Sequence, residues 1–190
     1  YTLKDVFYLG AVHQYAASSY GSANKSGNIP IDVSAYVDPI AKGRQRGQGL
    51  AVYKVHSFVA GDAEGGAQIN TDAGQITYGL TVKPYTASGD DSSMLEAGDL
   101  TPESDLLIYG AEYTAPATRV PGSGYTNKSE YLTPSEQVPY VCVRDTIFQL
   151  FLANVALSSS DDMFISYRME CAMITLDTAT LNQLLRTQTA

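Results

Sequence analysis

The groups that could do chemistry in this chain are few, and each is incomplete. Its two histidines, His13 and His56, lie far apart in segments that read as strands. A tetrahedral zinc site would need further His or Cys at ligand spacing, and none accompanies either. No GxSxG, GxGxxG, GxxxxGK(S/T) or HExxH string occurs. Ser123 sits in GSGY, Gly122 to Tyr125, without the strand-to-helix context of a nucleophile elbow, so it reads as a turn residue. Carboxylates are plentiful: Asp90, Asp91, Glu96, Asp99, Glu103 and Asp105 crowd one stretch with no Lys or Arg among them. Hard cations take several oxygen ligands from such loops, so Ca²⁺ near Asp90, Asp91 and Asp99 is conceivable. EF-hand spacing is absent, and a solvated acidic loop is the plainer reading. Nothing pairs two carboxylates across a predicted cleft, as a glycosidase requires.

One cluster is basic: KGRQRGQG, with Lys42, Arg44 and Arg46. Three charges amid glycines could meet an acidic loop on a neighbouring subunit, touch a phosphate or anionic lipid headgroup, or simply keep the surface soluble. The two cysteines, Cys142 and Cys171, fall in predicted strands and read as buried free thiols rather than a disulfide. Asn24 and Asn127 open N-x-S/T strings that accept glycans only in a secretory host. The chemistry therefore points away from an enzyme, with no catalytic residue and no cofactor expected.

The elements that must position these groups are strands. From Met163, the residues Met163, Ile165, Tyr167, Met169, Cys171 and Met173 share one face by period-two alternation, with Ser166, Arg168 and Glu170 on the other. Just before it, TIFQLFLANVAL is apolar in both phases. It reads as a central strand covered on both sides, in part by a neighbouring subunit if its own chain does not suffice. The small polar run Ser158 to Asp162 between the two predicts a hairpin. Ile76, Tyr78, Leu80 and Val82 mark another half-buried strand. IDVSAYVD, LAVYKVHSFVA, DLLIYGAEY, VFYLGAV and PYVCV bring the set to about eight. Asp177 or Thr178 can cap a short C-terminal helix whose Leu181, Leu184 and Leu185 share a side and must dock on the sheet. Tyr15 to Asn28, Ala60 to Gly74, Ala87 to Ser104 and Ala115 to Gln137 read as loops.

The chain is 190 residues long, the size of one domain spanning 1–190, with a core large enough to need no staples. Its 12 Lys+Arg against 20 Asp+Glu give a formal charge of -8, which repels phosphate backbones, so direct nucleic-acid binding is not expected. The 14 Tyr and 5 Phe, with no Trp, suit pleated surfaces and interfaces. The first residue is Tyr rather than Met, so either a leader was removed or preceding residues are missing. Eight strands, long loops and one terminal helix predict an all-β, eight-stranded jelly-roll sandwich. An immunoglobulin-type Cys–Trp–Cys core cannot form without Trp.

IDVSAYVD ahead of the basic glycine loop, and FQLFLANVAL–SSSDD–MFISYRMECAMI, give the chain its family likeness. It resembles the small single-jelly-roll capsid proteins of tailless icosahedral viruses with an internal membrane, notably those of salt-loving archaea. The resemblance implies a virion structural subunit that assembles with copies of itself or with a second capsid protein over a membrane. It transfers no functional residue. The Arg/Lys-rich arm of capsids that package single-stranded RNA is not in the given chain. On this reading Lys42, Arg44 and Arg46, together with Tyr125, Lys128 and Tyr131 of the longest loop, are expected in subunit contacts, and assembly is expected to depend on salt. The alternative is a secreted carbohydrate-binding or adhesin sandwich, located outside the cell, which the lack of Trp disfavours.

Overall fold

Alternation of apolar and polar residues draws nine strands into two antiparallel sheets in the computed structural model, which describes residues 6–15, 25–38, 46–61, 74–85, 97–115, 127–153 and 163–189. The strands are β1 (Phe7–Tyr15), β2 (Lys25–Asp32), β3 (Arg46–Gly61), β4 (Gly74–Thr81), β5 (Leu107–Ala115), β6 (Asn127–Leu132), β7 (Tyr140–Cys142), β8 (Thr146–Ala153) and β9 (Met163–Asp177), followed by helix α1 (Thr178–Thr189). One sheet has the order β1-β9-β3-β7 and the other β2-β8-β4-β5-β6. First strand lies beside last and second beside second-to-last, so the chain rolls up from its ends. That is the jelly roll, here with a ninth strand, β6, added to the edge of the second sheet.

The core lies between the sheets. Ile76, Tyr78, Leu80 and Val82 point into it, as their alternation predicts, with Ile165, Tyr167, Met169 and Cys171 opposite. Among the described residues six tyrosines are buried: Tyr15, Tyr53, Tyr78, Tyr109, Tyr113 and Tyr167. Much of the tyrosine that composition assigns to interfaces is thus core. Cys142 and Cys171 are buried free thiols, and burial pushes each up to about 12.

Three expectations are corrected, and one of two alternatives is decided. Strands β8 and β9 do not form a hairpin: β8 pairs with β2 and β4, and β9 with β1 and β3, so the chain between them changes sheet. Roll closure outweighs the short polar link. IDVSAYVD is not one strand. It ends β2 at Asp32, whose carboxylate accepts the Ser34 backbone N–H at 2.8 Å, and turns through a 3-10 segment at Ser34–Tyr36. Residues 25–28 and 127–132, taken for loop, are strand. Finally, β8 needs no neighbouring subunit. Ile147 and Phe151 enter the core, while Phe148 and Leu150 face outward under Leu100, Leu107, Tyr85 and Tyr131 of the same chain.

That cover is a strap running from a 3-10 turn (Ala97–Leu100) to Leu107. The buried Asp99 pins it: one carboxylate oxygen accepts from Lys83 Nζ at 2.6 Å and the other from the Tyr85 hydroxyl at 2.8 Å. The Tyr131 hydroxyl donates to the Leu100 carbonyl, and its ring lies over Gly110, where no side chain would fit.

Strand β3 carries a bulge between Val52 and Lys54 that inverts its phase. Leu50 and Val52 face the core before it, and Val55 and Val59 after it. Tyr53 therefore turns outward with Ala51 and Ala172. Helix α1 begins as predicted: the Asp177 carboxylate accepts from the Thr180 N–H at 2.7 Å, which holds its pKa below the usual range. Leu181 packs with Leu176 and Val143, and beneath it only glycine fits at Gly47.

The helix also closes a sheet edge. Buried Gln188 accepts from the Val143 N–H at 3.0 Å and donates to the Val141 carbonyl at 2.7 Å, taking the place of a further strand beside β7. Gln188→Ala strands both peptide groups and is expected to lower unfolding free energy by about 1–3 kcal/mol. Gln183→Ala, on the exposed side of the helix, should change it by less than about 0.5 kcal/mol in the same thermal denaturation.

Candidate interaction surface

The outer faces of the two sheets are finished differently. Beneath the strap, the five-stranded sheet has its apolar residues covered. On the four-stranded sheet, β1 alternates so that Phe7, Leu9, Ala11 and His13 turn inward and Val6, Tyr8, Gly10 and Val12 outward. Lys54, His56 and Phe58 of β3 and Ser166, Arg168 and Glu170 of β9 share that outer face, because His56 pairs with Arg168 and Phe58 with Ser166 across the ladder. All six large hydrophobic side chains exposed among the described residues, Val6, Tyr8, Val12, Phe58, Val138 and Met173, lie on this sheet or its margin, at 48% to 75% exposure. Of these, Tyr8, Val12 and Phe58 cluster on the outer face as an exposed apolar group of the kind that marks a binding face, whereas Val138 lies beside β7 and Met173 pairs with the core residue Leu50. This group adjoins β1, which among the described strands pairs only with β9 and so forms an edge of the sheet.

The face is a shallow shelf. Gly10 forms its floor, and a Cβ there would find nothing nearer than the Tyr167 carbonyl at 3.9 Å. Tyr8, Val12 and Phe58 stand around it. The Arg168 guanidinium lies over the Tyr8 ring, 5.5 Å from its centre, which orders both side chains. His56 Nε2 is 2.9 Å from a Glu170 carboxylate oxygen. Lys54 and Arg168 against Glu170 leave the face with a net positive charge, in a chain whose formal charge is -8.

Behind the shelf, Ser57 points to the opposite side of β3 and into a polar relay joining the sheets. The Tyr109 hydroxyl donates to Glu130 at 2.7 Å. It therefore accepts from Ser57, 2.7 Å away, and Ser57 in turn accepts from Tyr78 at 3.2 Å. Lys128 Nζ donates to the Ser57 carbonyl at 2.7 Å and lies 3.0 Å from Glu130. Burial pushes Tyr78 up to about 12 and Tyr109 higher still, so both stay protonated and keep donating. His56 and Ser57 are adjacent but on opposite faces. They form no nucleophile and base, and the relay reads as a clamp between the sheets.

The residues that sequence marks for contact are dispersed. Lys42, Arg44 and Tyr125 fall outside the described residues, as do Asp90 and Asp91. Arg46 is exposed at the start of β3, paired in the ladder with Asp177. Lys128 serves the relay, and Tyr131 the strap. Asp99 carries the strap's two bonds, and among the described residues no group of three or more His, Cys, Asp or Glu could hold a metal ion. Sequence reasoning passed over Tyr8, Val12, Phe58 and Arg168. The apolar outer phase of β1, Val6, Tyr8 and Val12, is the signal that could have found them.

No family model and no curated protein matches the chain. Among solved structures it is similar to Merkel cell polyomavirus VP1 in complex with GD1a oligosaccharide, at a TM-score of 0.50 and 9% identity, covering 93% of this chain and 98% of that one. VP1 of the same virus with disialyllactose gives 0.48 at 8% identity, again covering 93% and 98%. The human polyomavirus 7 VP1 pentamer gives 0.46 at 8%, with the same coverage. At this identity the likeness is one of fold, carried by the first of the three, and it agrees with the jelly-roll strand order.

The relay sets an acid limit. Burial alone would raise the Glu130 pKa, but the Tyr109 hydroxyl and Lys128 outweigh it and hold the carboxyl below its ordinary 4.5. A carboxyl depressed in the folded state stabilises it above the unfolded value and loses that contribution as pH falls. Wild-type melting temperature should therefore drop from about pH 4.5 downward, and Glu130→Gln should flatten that limb while lowering stability at neutral pH. Thermal scans across pH check both.

Proposed function

We propose that this chain is a structural subunit of an icosahedral viral capsid, located in the virion, and that it builds the shell by associating with copies of itself. The sided finish of the sandwich carries this reading: one outer face is clad by the chain's own strap, and the β1 side of the other keeps Tyr8, Val12 and Phe58 exposed beside Lys54 and Arg168. A surface of that kind is stable in water when another protein covers it. The jelly-roll fold, and its likeness to VP1, a virion protein, support the same assignment. Co-assembly with a second capsid protein, contact with an internal membrane, and the haloarchaeal kind of virus belong to the same proposal. The basic run Lys42, Arg44 and Arg46 is its electrostatic element, meeting acidic loops of neighbours, so that association weakens as salt screens it.

A carbohydrate-binding sandwich is the second reading, because Tyr8 is an exposed aromatic ring beside polar groups. Arg168 already lies over that ring, and the shelf is open rather than enclosed. A Ca²⁺ ion near Asp90, Asp91 and Asp99 would belong to this reading.

Sedimentation velocity and electron microscopy of the purified protein test the assignment. Regular oligomers or closed particles that weaken with added salt are expected, with Arg44→Glu reducing them further. A monomer at high concentration that binds a glycan array in a chelator-sensitive way would overturn it.

A further inference from the structure

We infer that the shelf on the four-stranded sheet receives the strap tip of a second copy, Thr101–Glu103, with Pro102 over the Gly10 hollow and Glu103 facing Arg168. This rests on the self-association proposed above and specifies its contact.

The shape of the two surfaces suggests the fit. On one side the chain presents a hollow with a glycine floor and walls of Tyr8, Val12 and Phe58. On the other it presents a knob: Thr101, Pro102 and Glu103 are all exposed at the crest of the strap. The knob is rigid. Asp99 anchors the strap through Lys83 and Tyr85, the Thr101 N–H and hydroxyl both bond the Gly98 carbonyl, and Tyr131 holds Leu100. A knob held in place before contact loses little entropy on docking. Beside it, Pro102, Glu112, Tyr131 and Leu152 line a shallow depression, so apolar and acidic groups continue past the tip.

Charge selects the arrangement. The shelf carries Lys54 and Arg168 against Glu170, whereas the strap and its flank carry Glu103 and Glu112. Two shelves meeting about a two-fold axis would set cationic faces against each other. Shelf against strap sets opposite charges together, which favours one register and disfavours the other. The two patches lie on opposite outer faces of one sandwich, so the contact is head-to-tail. Contacts of that type propagate into rings when the rotation closes. The contact also covers the β1 side of the sandwich, where the free edge lies.

The test uses Gly10→Tyr, Arg168→Glu, Glu103→Arg and the double exchange Arg168→Glu/Glu103→Arg, each compared with wild type by sedimentation equilibrium. Gly10 is in open space on a strand, so Tyr there fills the hollow without touching the core, and thermal melts verify that all variants fold. Each single variant should weaken association at least about tenfold, equivalent to about 1.4 kcal/mol. The double exchange should recover most of that loss, because the pair is restored with its signs reversed. If wild type associates and the single variants match it, or the double exchange is no better than the singles, the contact is wrong while the capsid reading stands. If wild type remains a monomer at high concentration, both fail.

Discussion

A strand that is apolar on both faces has to be covered twice, and β8 sets the plan of this molecule. Its inner residues Ile147 and Phe151 close the core. Its outer residues Phe148 and Leu150 would be wet without the strap, which the Asp99 bonds hold in place. The opposite sheet has no strap among the described residues. Its outer face keeps Tyr8, Val12 and Phe58 exposed. The chain thus answers the same physical demand in two ways: internally where β8 is buried and, in the proposed assembly, through a partner where β1, β3 and β9 face out. Edges follow the same division, with Gln188 closing β7 and, among the described residues, no strand pairing the outside of β1.

Such an arrangement asks for a stiff body, because a partner surface is recognisable only if it keeps its shape. Inter-sheet rigidity comes from polar as well as apolar contacts. Ser57, on the strand behind the shelf, is held through Tyr78 and Tyr109 on the far sheet and through Lys128 on its edge strand. Hydrogen bonds that run in series and end on a carboxylate strengthen one another in a low-dielectric interior. The shelf is backed by a clamp, and the strap tip by the ion pair of buried Asp99 with the partly exposed Lys83. Both sides of the inferred contact are therefore held in place before docking.

Sequence was informative where one rule governed a segment. Period-two alternation located β4 and the core face of β9, and the Asp177 cap and leucine spacing located α1, because local chemistry decides those. It misled where closure of the roll decided. The Ser158–Asp162 run is good hairpin material, but β8 and β9 are separated by the need for β9 to sit between β1 and β3. Strand β6, with its Asn-Lys-Ser-Glu start, has weak strand character of its own and forms because β5 offers it an edge. The bulge after Val52 is written in the phase change from Leu50 and Val52 to Val55 and Val59, a break that simple alternation does not anticipate. Tyrosine abundance pointed to interfaces, yet most of the buried rings serve the core. The face left open is marked instead by three apolar residues on the wrong phase of a single edge strand.

The central claim is that the four-stranded sheet is covered by another copy of this chain. Amide hydrogen exchange at low and high protein concentration tests it most directly, since burial slows exchange locally. The account predicts that β1, an edge among the described strands, gains protection as concentration rises, together with the Thr101 and Glu103 amides of the strap, while α1 stays unchanged. Identical exchange of β1 at both concentrations, in protein that sedimentation shows to be associated, would contradict it.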